Sequence, residues 1–94
     1  MIGIRAYVTI EVESRKLILD VAKDIFQLPC VQQIDRLKQL SPNDPNGIMV
    51  VMADTVDDQG YISTIIDTKI KPVHGIKSID VKFVTPFTPD QLST

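Results

Sequence analysis

Few side chains in this 94-residue chain have the type and spacing that catalysis requires. His74 is its single histidine and Cys30 its single cysteine, so one copy offers neither an all-histidine metal site nor an intramolecular disulfide. His74 stands beside Gly75, as a turn residue would, and Cys30 lies in an apolar stretch where a thiol packs as a small hydrophobe. Two acid pairs have the right type for acid–base work. Glu11 and Glu13 share one face of a strand, and Asp57 and Asp58 open a helix, where negative charge suits the dipole. The sequence supplies neither pair with a partner group, so both read as solvated structure. Asp44-Pro45-Asn46-Gly47 echoes a fragment of a calcium loop without its closing glutamate, and a tight hairpin accounts for it. No GxGxxG, Walker, HExxH or CxxC motif is present. The chain therefore reads as non-enzymatic, with no cofactor and no metal.

The elements that would position any site are legible from periodicity. Arg5 to Glu13 alternates, with Ala6, Val8, Ile10 and Val12 on one side and Arg5, Tyr7, Thr9, Glu11 and Glu13 on the other, which predicts a strand with one wet face. Ser14 then caps a helix whose stripe is Leu17, Ile18, Val21, Ala22, Ile25, Phe26 and Leu28, and Pro29 ends it. Cys30 to Leu40 is ambiguous. Val31, Ile34, Leu37 and Leu40 recur every three residues and suggest a helix, yet a chain this short completes a two-layer sandwich most readily if the segment pairs as a bulged strand. Strand is the reading adopted. Ser41 to Gly47 is a loop by composition.

Ile48 to Ala53 is apolar on both faces and reads as a central strand. Asp54-Thr55, with Asp58 three residues on, offers a weak capping box for a second helix. That helix carries Ile62, Ile65, Ile66, Ile70 and Val73, and Pro72 and His74-Gly75 terminate it. Ile76 to Thr85 alternates again, with Ile79, Val81 and Phe83 opposite Ser78, Asp80, Lys82 and Val84. The expected architecture is α+β: a ferredoxin-like βαββαβ domain over residues 1–85, with an antiparallel four-stranded sheet and both helices on one face. Residues 86–94 are expected to be an extended, mobile tail.

This architecture leaves a problem at the sheet. About three apolar side chains between Ile48 and Ala53 face away from the helices, and covering them is worth roughly 1.5–3 kcal/mol each. A second copy packing on that face through Tyr7, Met49, Val51 and Val84 is the expected solution. Partners of other kinds are less well supported. The net charge of −2 lacks the cationic excess that phosphate backbones demand, and the third strand has methionine and valine where an RNA-recognition motif needs Lys/Arg-Gly-Phe, so direct nucleic-acid binding is not expected. No stretch is long and apolar enough to span a membrane, and Met1 to Ile10 does not resemble a signal peptide, so a cytoplasmic location is expected.

Three segments together resemble one family: Ala6-Tyr7-Val8-Thr9-Ile10-Glu11-Val12, Leu28-Pro29-Cys30-Val31, and Lys69-Ile70-Lys71-Pro72-Val73-His74-Gly75-Ile76-Lys77-Ser78-Ile79-Asp80. The chain looks like the effector-binding domain of Lrp/AsnC-type regulators in a stand-alone, RAM-like form without a helix-turn-helix. The resemblance spans Arg5 to Val84. It implies a dimeric α/β barrel made by two sheets face to face, rings of dimers, and amino-acid-like effectors bound between dimers. It further implies a role in modulating transcription, with full-length regulators as partners. The family's Gly-x-Tyr-Asp-like turn is replaced here by the longer Asn43-Asp44-Pro45-Asn46-Gly47, a departure from the pattern that carries effector binding; if the site survives it, ligand binding is expected on Asp44, Asn46 and Gly47. Two other readings fit the same pattern. One is a peptide-binding chaperone of the signal-peptide-capping type, using the same methionine and valine patch. The other is a dimeric α/β-barrel enzyme, which wants a His, Asn or Trp pocket in a chain that has no tryptophan.

Overall fold

The computed structural model describes residues 3–54 and 59–93. Its first strand, β1 (Arg5–Val12), is followed by a single 3-10 turn (Arg15–Leu17) and the helix α1 (Ile18–Phe26). Strands β2 (Val31–Arg36) and β3 (Gly47–Ala53) come next, then the helix α2 (Gln59–Ile65), which widens into a π-helical turn over Ile66–Ile70. Strand β4 (Ile76–Val84) and a one-turn helix α3 (Pro89–Leu92) complete the chain. The sheet has the order β2-β3-β1-β4 with every neighbouring pair antiparallel, so the fold is the ferredoxin-like α+β arrangement.

Alternation places the core. Ala6, Val8, Ile10 and Val12 of β1 and Ile48, Val50 and Met52 of β3 are buried, and they join Ile18, Val21 and Ile25 of α1 with Ile62, Ile65, Ile66 and Ile70 of the second helical segment. All of these helix side chains lie on one face of the sheet, so both helices cover that face. Of these strand and helix residues, the thirteen isoleucines, valines and methionine, each worth roughly 1.5–3 kcal/mol when fully buried, are the main opposition to chain entropy.

Of the segment with the three-residue repeat, Val31–Arg36 is a strand, and it is bulged as expected: pairing with β3 shifts register between Val31 and Gln33, while Leu37 to Leu40 lie beyond the strand. Beyond the bulge, Ile34 lies opposite the buried Val50. Other expectations need correction. Ser14 makes no side-chain cap, because the chain enters through the 3-10 turn and α1 starts only at Ile18. Phe26, placed on the buried stripe by its spacing, is 63% exposed. The stripe from Leu17 to Leu28 is wider than the strip of sheet that α1 covers, so its margin is left in solvent. The tail is not extended throughout: Thr88 accepts from the Gln91 N–H (3.3 Å) while the Thr88 N–H donates to Gln91 Oε1 (2.8 Å), a capping box that winds Pro89–Leu92 into α3. The signal was local, a threonine before Pro89 with glutamine three residues on. The cap at Thr55 and Asp58 and the acid pair Asp57/Asp58 lie outside the described residues.

Gly75 shows how tightly the second helix is turned back into the sheet. Its φ is +96°, a side chain there would meet Leu17 Cδ1 at 2.9 Å, and its carbonyl accepts from the Glu13 N–H at 2.8 Å. Gly75→Ala is expected to cost about 1–2 kcal/mol, chiefly from the left-handed backbone because Leu17 can swing aside. A urea titration checks it, and an unchanged midpoint would show that the turn tolerates Cβ.

Candidate functional site

The side of the sheet away from the helices is built by the other half of each alternation. Register fixes its rows: Val84 beside Arg5 beside Ala53; Lys82, Tyr7, Val51 and Gln33; Asp80, Thr9, Met49 and Asp35; and Ser78, Glu11 and Gly47. The centre is apolar and the margins are charged. Tyr7, Thr9, Met49, Val51, Ala53 and Val84 are each half-buried by their neighbours on the sheet. Thr9 Oγ1 donates weakly to Met49 Sδ (3.6 Å) and the Arg5 guanidinium to the Tyr7 hydroxyl (3.5 Å), and both bonds run within the surface. Among the described residues, every buried helix side chain belongs to the core on the opposite face. The Cα trace is only 17 Å deep in its thinnest direction, the depth of one sheet and one helix layer. The four residues expected at a dimer interface, Tyr7, Met49, Val51 and Val84, thus stand together on this open face.

The loop before β3 is ordered by its own polar groups. The Leu40 and Ser41 N–H groups donate to Asp44 Oδ2 at 2.9 and 3.0 Å, and Gln39 Nε2 donates to the Asp44 carbonyl at 2.7 Å. Asp44 therefore holds the loop's shape with one oxygen and keeps Oδ1 free of these bonds. Asn46 uses its carbonyl to accept from the Val12 N–H (2.9 Å), and Gly47 accepts from the Leu37 N–H (2.9 Å). Gly47 is buried, and a Cβ on it would lie 2.5 Å from the Ile10 carbonyl oxygen and 3.0 Å from Leu37 Cδ1. Of the three residues placed at a ligand site by resemblance, Asn46 lines the adjoining cleft and Asp44 and Gly47 do not.

That cleft, about 410 Å³, is lined by Arg15, Ile18, Arg36, Leu37, Lys38, Gln39 and Asn46. The sequence reading named the loop but missed the cations. Arg36 and Lys38 are two residues apart at the end of β2 and its continuation, a spacing that puts both on one side of an extended chain, whereas Arg15 arrives from the far end of the first connection. No metal-binding group of three or more His, Cys, Asp or Glu side chains exists among the described residues. Cys30 sits half-buried at a φ of 69°, its carbonyl accepting from the Ala53 N–H at 2.9 Å. Burial, with a smaller contribution from the nearby Asp54 carboxylate, raises its thiol above the usual range, which disfavours the reactive thiolate. His74 is exposed on the turn next to Gly75.

The class these features define is a ferredoxin-like α+β domain with one open apolar sheet face. Solved structures share the fold. A transcriptional regulatory protein of the AsnC family from Pyrococcus furiosus matches with a TM-score of 0.73 and 14% identity over 94% of this chain and 55% of its own. AsnC of E. coli matches with a TM-score of 0.69 and 14% identity, over 93% of this chain and 53% of its own. A dabb family protein with a ferredoxin-like fold from Mesorhizobium loti matches more loosely, with a TM-score of 0.50 and 15% identity over 92% and 99% of the two chains. The chain spans about half the length of the two AsnC-type structures, and at these identities the likeness is one of fold. No family model and no curated protein matches the sequence. Among the described residues, no helix is long and apolar enough to cross a membrane.

Proposed function

We propose that this chain is a non-enzymatic regulatory module that self-associates through its open sheet face and senses a small, amino-acid-like molecule at the loop carrying Asp44, Asn46 and Gly47. The observation that carries the reading is the uncovered apolar centre formed by Tyr7, Met49, Val51 and Val84. Strands of this length at a spacing of about 4.8 Å make a face of roughly 25 by 19 Å, so two faces together remove on the order of 1,000 Å² from water. That is the lower bound for a specific protein interface, and a flat apolar centre with a polar rim has the expected anatomy.

Charge on the rim favours a second copy as the occupant. Arg5 and Lys82 lie toward one end of the strands, while Asp35, Asp80 and Glu11 lie toward the other. Two copies packed face to face with their strands reversed set the cationic end of each over the acidic end of the other. The shared fold with AsnC-type regulators supports a regulatory role, with full-length regulators as further partners, and supports the absence of catalysis. Light scattering on the purified chain is expected to give twice the monomer mass or a multiple of it, and calorimetry with the common amino acids a saturable heat. A monomer with no heat at millimolar ligand, about the weakest affinity useful for sensing, would sink both halves of the reading.

A further inference from the structure

The cleft beside the loop has a composition that an amino-acid ligand does not explain. Arg15, Arg36 and Lys38 bring three cations to it, and its remaining lining is neutral: Ile18 and Leu37 are apolar, Gln39 and Asn46 are amides. In a chain of net charge −2 this is a local reversal of sign. The ion pairs present, Lys71 with Asp67 and Lys77 with Glu11, lie elsewhere, and among the described residues none of the three cationic side chains is paired with a carboxylate or engaged in a hydrogen bond. The nearest acid of the loop, Asp44, spends Oδ2 on the Leu40 and Ser41 N–H groups and does not line the cleft. Like charges brought together without compensation repel one another, and a bound anion relieves that repulsion.

We infer that this cleft binds a small molecule carrying at least two anionic groups, carboxylate or phosphate, on a short apolar backbone. The two guanidinium groups present planar forks that match either anion, and the Lys38 ammonium adds a point charge. Buried Ile18 and half-buried Leu37 supply an apolar floor between them. A zwitterion is the wrong ligand here, because its ammonium group would meet cations and no lining carboxylate. The volume, about 410 Å³, is that of a metabolite site and is too small for a polymer. The inference goes beyond the sensing reading by giving the cleft beside the loop a ligand class of its own, and it depends neither on amino-acid binding at the loop nor on the sheet face being paired.

The test is amide chemical-shift mapping, with thermal melting in parallel, at constant ionic strength so that general screening does not masquerade as binding. The probes are citrate and succinate for the carboxylate source, inorganic phosphate and pyrophosphate for the phosphate source, and leucine and glycine as zwitterions. A saturable response over residues 36–46 to a carboxylate or a phosphate probe, with a Kd of about 1 mM or tighter, is expected. Which set responds identifies the source. The double variant Arg36→Gln/Lys38→Gln, at exposed positions, should fold normally and bind roughly tenfold or more weakly, while Lys69→Gln, on the opposite helical segment, should bind as the parent does. A response that is absent with every anion, or equal in the double variant, overturns the inference. So does a stronger response to leucine than to any anion, and that result would leave amino-acid sensing itself standing.

Discussion

Val51→Lys is expected to dissociate the proposed dimer while leaving the chain folded. Val51 lies in one of the two central rows of the open face, between Tyr7 and Gln33, where a partner would cover it completely. Burying that side chain is worth roughly 1.5–3 kcal/mol, and the variant replaces this gain with an ammonium group that must be desolvated without a partner, a cost of several kcal/mol. Each 1.4 kcal/mol is a factor of ten, so the dimer dissociation constant should rise at least about a hundredfold. The isolated chain is a different matter. Val51 is only half-buried there, and the lysine stem can lie along the sheet with its charge in water, so the far-UV dichroism and melting cooperativity should persist. Sedimentation velocity across a concentration series separates these outcomes. A variant that stays at the parent's mass would show that the apolar centre of the sheet is not where copies meet.

The second large effect is on stability, at the residue the family resemblance placed in a binding site. Gly47→Ala is expected to destabilise the chain by about 1–3 kcal/mol or more, because the new Cβ would sit 2.5 Å from the carbonyl oxygen of Ile10 and 3.0 Å from Leu37 Cδ1. Leu37 can move, but the Ile10 oxygen is backbone of the central strand β1, opposite Ile48 and Ile79 in the sheet, so the strands themselves must part. The Leu37 N–H bond to the Gly47 carbonyl, 2.9 Å long, would be strained with them. Denaturant unfolding of the variant should show a lowered midpoint with an unchanged slope. If Gly47 serves a ligand and not the backbone, stability will be untouched and only ligand affinity will fall.

How much of this was readable in advance depended on how local the governing physics is. Alternation over Arg5–Val12 and Ile76–Val84 places Tyr7 and Val84 on one face by geometry alone, whereas Met49 and Val51 of the doubly apolar β3 are fixed beside them by pairing register. The capping box at Thr88 and Gln91 was equally local and was there to be read, although the tail was expected to be extended. Residues 30–40 were not local in this sense. Their three-residue repeat favours a helix, and only pairing with β3, with its register shift after Val31, makes Val31–Arg36 a strand. Phe26 likewise fits the helical stripe and ends in solvent, because how much of α1 the sheet can cover is a property of the assembled layers.

The sequence by itself determined the element types with strong periodicity, the antiparallel α+β class and the existence of an apolar face without a cover, since each follows from side-chain direction along a single segment. Tertiary structure alone decided what the β2–β3 loop is near. Arg15 is 21 positions before Arg36 in the chain, so their charges meet only when β2 pairs with β3 and the first connection folds across the loop. Coulomb repulsion and its relief by an anion depend on distance in space, which no pattern along one segment encodes.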